Sequence, residues 1–225
     1  RVYCSPGNAC MVKFMFMAVT RRIVELVQLD LNIVRDHWYL ACMVGRKPGL
    51  GSAAQAIPLH PPKGHFWADP CLVERDDRRF VFFEDFEYAR NRGVISVLEI
   101  DRAGHAGEAQ PVLEEDYHLS YPFVFRWQDV DYMIPESKTD HSVRLYRALE
   151  FPLRWVFDRV LLEGIAAVDA TVMAHEGRWY LFANVSETGG SSWDELFLFV
   201  ADTPLGPWLP HPMTPIVSDV RSARP

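Results

Sequence analysis

Cysteine is scarce in this 225-residue chain. Cys4, Cys10, Cys42 and Cys71 are the only four, all in the first third, at spacings that fit neither a disulfide framework nor a zinc site. A reducing, cytoplasmic compartment is expected, with no metal and no other cofactor. Basic charge is also in deficit: Lys+Arg 23 against Asp+Glu 30 gives a net charge of -7. That disfavours a nucleic-acid partner, because neutralising phosphates needs a basic surface. Long apolar runs are missing too. Met11 to Val19 is broken by Lys13 and followed by Arg21 and Arg22, too short and too charged for a membrane span, and no small-residue cleavage site marks a secretory signal. There is no GxSxG elbow, no glycine-rich phosphate loop ahead of a helix and no dinucleotide fingerprint, so nucleotide-dependent functions have no support.

What the chain has is a repeat. Ala68 to Glu84 (ADPCLVERDDRRFVFFE), Ser120 to Glu136 (SYPFVFRWQDVDYMIPE) and Val168 to Asn184 (VDATVMAHEGRWYLFAN) align without a gap, with an aromatic ten residues after Pro70, Pro122 and Ala170 at Phe80, Tyr132 and Tyr180. A period of roughly 50 residues built from strands predicts β-propeller blades. Each repeat reads as a strand, a charged turn (Arg75-Asp76-Asp77, Trp127-Gln128-Asp129, His175-Glu176-Gly177) and a second strand. Third strands follow at Val94 to Ile100, Val143 to Ala148 and Leu196 to Ala201, and a short fourth strand is expected in each blade. Repeats two and three also share endings, FPLRW at Phe151 to Trp155 and TPLGPW at Thr203 to Trp208.

Blades are thus predicted at about 66–110, 118–158 and 166–210. Ser222-Ala223-Arg224-Pro225 would open a fourth blade, beginning at about 219. A propeller closes on itself to remove its sheet edges, so the expectation is an incomplete ring lacking about two blades. His37 to Val44 would supply a strand of the closing blade, and Gly45 to Gly64 reads as a long connection. Residues 1–36 form a separate lead-in, with an amphipathic helix predicted from about Phe16 to Val34.

The segments FWADP, EDYHLSYPFVF, YMIPES, VDAT, SSWDELFLF and VSDVRSARP resemble the N-terminal domain of glucosamine inositolphosphorylceramide transferases and their bacterial relatives, over about Asp36 to Pro225. That domain is in turn similar to the five-bladed β-propeller of glycoside hydrolase families 43, 32 and 68. The resemblance implies an all-β, five-bladed propeller of glycosidase type, and it implies that glycosyl transfer in the plant proteins belongs to a separate C-terminal domain. Further blades and a fused catalytic domain are therefore expected partners, alongside a glycan or glycoconjugate.

Glycoside hydrolysis needs two carboxyl groups, one ionised and one protonated. Asp69 and Asp169 occupy equivalent slots in blades one and three. The likeness to family 43 maps Asp69 onto the general base and Asp169 onto the carboxylate that tunes the acid, with the acid itself coming from blade four. There the slot holds Arg224, with Asp219 nearby and no glutamate. Arg224, joined by Arg221 and Arg144, would suit the phosphate or carboxylate of an anionic glycoconjugate. Either the site cuts a glycan, or the propeller binds one, or organises a partner domain, without catalysis.

Each candidate has a plainer alternative. Asp69 before Pro70 could be an ordinary turn residue. Glu84, Glu136 and Asn184 close the three repeats at matched positions and could line the funnel or simply end strands. Trp67 and Tyr121 could stack on a sugar or belong to the core. His118 could be a substrate contact or a structural hydrogen bonder, with no second ligand at metal spacing.

Overall fold

The computed structural model describes residues 38–44, 56–186, 191, 194–219 and 221–223. The described residues form a nearly all-β fold of propeller-type blades, with one short 3-10 turn at Lys138–Asp140. Among them, fifteen strands form three blade sheets and one small sheet. Blade one comprises β3 (His65–Arg75), β4 (Arg78–Glu87), β5 (Arg92–Ile100) and β6 (Gln110–Leu113), each pairing antiparallel with the next. Blade two repeats this with β7 (Ser120–Trp127), β8 (Val130–Glu136), β9 (Ser142–Glu150) and β10 (Arg154–Glu163). Blade three has β11 (Ala167–His175), β12 (Arg178–Val185), β13 (Glu195–Ala201) and β14 (Leu209–Pro210), with β15 (Val217–Ser218) also pairing β13.

The first hairpin of every blade turns on two residues with left-handed backbone. These are Asp76 and Asp77 (φ 51 and 60°), Gln128 and Asp129 (47 and 62°), and Glu176 and Gly177 (47 and 77°). Two-residue loops with both central φ values positive match the twist of the strands they join. The charged turns read from the repeat are these loops.

Both faces of a blade are covered, which is why β4 reads as an unbroken apolar run rather than an alternation. Phe80 and Phe82 face blade two and pack with Val124, Met133, Tyr146 and Trp155, whereas Val81 and Phe83 face the opposite way. Between blades two and three lies the larger core, with Ile134, Leu145, Val172, Leu181, Phe197, Phe199 and Trp208. The shared repeat endings plug these seams. Trp155 meets Phe82 edge-on at 5.7 Å and donates its ring N–H to the Pro152 carbonyl at 2.7 Å, and Trp208 fills the corresponding place in the next seam.

The strand expected over His37 to Val44 is shorter, β1 (Leu40–Cys42), and it pairs with β2 (Ile57–Leu59) inside the segment read as a connection. Ile57-Pro58-Leu59 lacks a donor at its centre, which a short edge strand tolerates, and this disguises it in the sequence. β1 and β2 cover the face of blade one that blade two leaves open, with Leu40 and Leu59 against Trp67, Phe83 and Leu98. The helix expected over 16–34 lies outside the described residues. Among those described, no helix is long and apolar enough to cross a membrane.

Candidate functional site

The inner strands β3, β7 and β11 share one irregularity. Each ladder slips between Ala68 and Cys71, Ser120 and Phe123, and Val168 and Thr171. The extra residue is Asp69, Tyr121 or Asp169, with φ of 50, 41 and 56°. A left-handed residue in a β-bulge re-aims its side chain, and Asp tolerates that backbone far better than Tyr. Tyr121 is held there by more than its backbone: its hydroxyl hydrogen-bonds Thr171 Oγ1 on blade three at 3.1 Å, two residues after Asp169. Asp69, Pro70, Cys71, Tyr121, Pro122 and Phe123 line a cleft of about 140 Å³ between blades one and two. The two aspartates differ in access, since Asp69 is exposed and Asp169 is 4% exposed.

Directly across each ladder from the residue before the bulge stands the end of the repeat. Ala68 pairs with Glu84, Ser120 with Glu136 and Val168 with Asn184. Glu84 is 5% exposed. Its carboxyl is pushed up to about 8, first by burial and then by the negative charges of Asp69, Glu136 and Asp85. Glu84 is therefore mostly protonated at neutral pH, beside an exposed aspartate.

His118 reaches this glutamate from the loop between β6 and β7. The Gly93 N–H donates to His118 Nδ1 at 2.9 Å, which leaves the ring proton on Nε2, 3.4 Å from Glu84 Oε1. Burial lowers the His118 imidazolium below its usual range, which favours the neutral ring. Gly93 makes the arrangement possible. A Cβ there would lie 2.6 Å from the Leu119 carbonyl, 2.8 Å from His118 Cε1 and 3.0 Å from Glu84 Oε1. On its other side His118 walls a larger cleft of about 620 Å³, shared with Arg90, Asn91, Arg92, Asp116, Tyr117 and Thr139. That is the size of an ordinary small-ligand pocket. Arg90 and Arg92 both reach one oxygen of Glu114 at its rim, Arg92 at 2.6 Å.

The structure thus brings together Asp69, Glu84, Glu136 and His118, with Tyr121 bridging to the Asp169 strand. Other expected residues lie elsewhere. Trp67 is 8% exposed and tilted against Phe83 at 4.8 Å in the core under β1 and β2, leaving no face for a sugar. Arg144 is committed to Asp140 at 2.7 Å and lies over the Tyr117 and Phe157 rings, so it joins a packed polar cluster rather than a row of funnel cations. Arg221 is likewise paired, in a two-pronged contact with Asp219 at 2.9 and 2.6 Å. Asn184 is fully buried and donates to the Glu195 and Ala223 carbonyls at 3.0 Å each, stitching the start of the next repeat to blade three. Arg224 falls outside the described residues. Among those described, no group of three or more His, Cys, Asp and Glu is arranged to hold a metal ion.

Gly93, Arg90 and Arg92 were not singled out in the sequence. A glycine at the start of an otherwise β-branched strand (Gly93-Val94-Ile95) is the one signal that could have found the first, since it marks close approach of another group.

The family model described as "Glucosamine inositolphosphorylceramide transferase 1, N-terminal" matches residues 51–224. The chain belongs to that family. Glucosamine inositolphosphorylceramide transferase 1 of Oryza sativa subsp. japonica is 36% identical over 160 residues, and the Arabidopsis thaliana protein of the same name is 35% identical over 160. Each match covers 70% of this chain and 21% of the relative, so the chain spans about a fifth of those proteins. Among solved structures, a family 117 glycoside hydrolase of the marine bacterium Zobellia galactanivorans superposes with a TM-score of 0.58 at 12% identity, covering 81% of this chain and 63% of that one. A mutant of Bacillus subtilis levansucrase gives 0.55 at 12% identity, covering 69% and 55%. These likenesses establish the propeller-type fold of this transferase N-terminal family.

Proposed function

We propose that this domain is a carbohydrate-active propeller that acts on a glycan or glycoconjugate at the mouth between blades one and two. The observation that carries the reading is the repeated bulge. It presents Asp69, exposed, at one blade mouth, opposite a strand position occupied by the protonated Glu84. Cleavage of a glycosidic bond uses two carboxyl groups flanking it, one ionised and one holding a proton, and Asp69 and Glu84 supply one candidate of each kind. A purely scaffolding or binding propeller has no need to bury an acid among three other carboxylates, so the raised acid weighs against that alternative. The family name supports a glycosylated inositol phosphate as ligand. With Arg144 and Arg221 engaged by other carboxylates, Arg90 and Arg92 at the rim of the larger cleft are the cations that would meet its phosphate in exchange for Glu114.

The test is a glycan binding and turnover assay on the full-length protein, comparing glucosaminyl-inositol phosphate with neutral oligosaccharides. Asp69→Asn is expected to lower turnover about 10²–10⁴-fold. Unchanged binding and turnover in that variant would return Asp69 to the role of a turn residue.

A further inference from the structure

Resting on the reading of this mouth as a glycan site, we infer that Glu84 is its proton donor and that His118 is the residue that positions it. The resemblance to glycosidases looks for the acid in a fourth blade, whose slot holds arginine; the geometry places a candidate in blade one instead. Glu84 stands one register position from Asp69 across β3 and β4, within the electrostatic reach of Asp69 on β3 and Glu136 on β8. Asp85, the neighbour on its own strand, is engaged with His65 Nδ1 at 2.8 Å and Ser96 Oγ at 3.4 Å. His118 also faces Glu84, with Nε2 3.4 Å from Oε1, and burial lowers its imidazolium below the usual range.

Gly93 N–H occupies Nδ1, so the ring proton is on Nε2, packed 3.4 Å from Oε1, and the donor proton is assigned to the other oxygen, Oε2. A neutral imidazole packed against the carboxyl limits its rotation without favouring the ionised form, whereas an arginine or lysine would favour it. The reaction closes on itself. Asp69 takes a proton from water as the water oxygen bonds to the anomeric carbon, the bond from that carbon to the leaving oxygen breaks, and Glu84 Oε2 gives its proton to that oxygen. Solvent then returns a proton to Glu84 and takes one from Asp69.

Leaving-group dependence separates a proton donor from a merely structural acid. The probes are 4-nitrophenyl and unsubstituted phenyl glycosides (glucosaminide, glucuronide, mannoside and galactoside) with the full-length protein. Glu84→Gln is expected to lower turnover of the phenyl glycoside about 10²–10⁴-fold while affecting the 4-nitrophenyl compound less than about tenfold, because 4-nitrophenolate leaves without protonation. The wild-type rate is expected to fall as pH rises through about 8, the limb on which Glu84 ionises, and His118→Gln is expected to move that limb while leaving KM nearly unchanged. Equal losses on both leaving groups, or no glycoside turned over at all, would overturn the donor role, and an alkaline limb that His118→Gln leaves in place would overturn the positioning role of His118. If Asp69→Asn abolishes turnover and Glu84→Gln does not, this inference fails and the glycan site stands. If neither variant alters turnover or binding, the site itself is refuted.

Discussion

Blades one and three share a backbone and differ in chemistry. In both, an aspartate sits in a left-handed bulge, φ 50° at Asp69 and 56° at Asp169, and the residue before it pairs across the ladder with the end of the repeat. In blade one that partner is Glu84, buried, protonated and touched by a histidine from the next blade's approach. In blade three it is Asn184, buried just as deeply, which cannot titrate and spends its amide protons on two main-chain carbonyls. The bulge is thus a feature of the architecture, present in each of the three described blades. The chemical difference enters at the residue facing it. An amide makes the position a stitch between repeats, whereas a carboxyl surrounded by other carboxyls makes it a reservoir for one proton.

Two substitutions sharpen this contrast. Asn184→Ala leaves the Glu195 and Ala223 carbonyls without their donor in a buried place, and a loss of about 3 kcal/mol in unfolding free energy is expected by urea titration. Glycan binding at the blade-one mouth should survive it. If instead Asn184→Ala costs no stability but removes glycan binding, blade three is the functional one and the comparison is inverted. Gly93→Ala acts on the other side. The added Cβ must displace the Leu119 carbonyl, His118 or Glu84, at an expected cost of about 2 kcal/mol, and it should break the His118 contact. A variant as stable as the wild type, with the Glu84 titration unchanged, would show that the packing around Gly93 does not hold the acid in place.

The all-β, propeller-type fold was legible because its cause is periodic. Strands, charged two-residue turns and seam-filling tryptophans recur at one spacing, and any one of them locates the others. β2 escaped notice because Ile57-Pro58-Leu59 has too few residues for alternation to show and a proline at its centre. Within the site, the slots Asp69, Tyr121 and Asp169 and the positions of Glu84, Glu136 and Asn184 followed from register alone. Their environments did not. Nothing in the sequence separates Glu84 from Glu136, because the proton on Glu84 comes from burial and from charges brought in by β3 and β8, contacts distant in sequence. Trp67 and Arg144 show the converse: residue types common in carbohydrate sites were drawn into the core and into a cation–aromatic cluster by neighbours the repeat does not specify.

The central claim, that blade one holds a proton where blade three cannot, is tested most directly by following the Glu84 side-chain carboxyl with ¹³C NMR in the full-length protein between pH 3 and 10, using Glu84→Gln to assign it. Folding raises this group from its usual 4.5 to about 8, so its contribution to stability is fully present below about 4.5 and is lost as pH rises through about 8. A midpoint near 8, with Glu84→Gln gaining thermal stability relative to the wild type progressively as pH rises from about 4.5 to about 8 and no further above that, is the predicted result. A midpoint near 4.5 would contradict the account, because Glu84 would then be one more solvated carboxylate at the end of a strand.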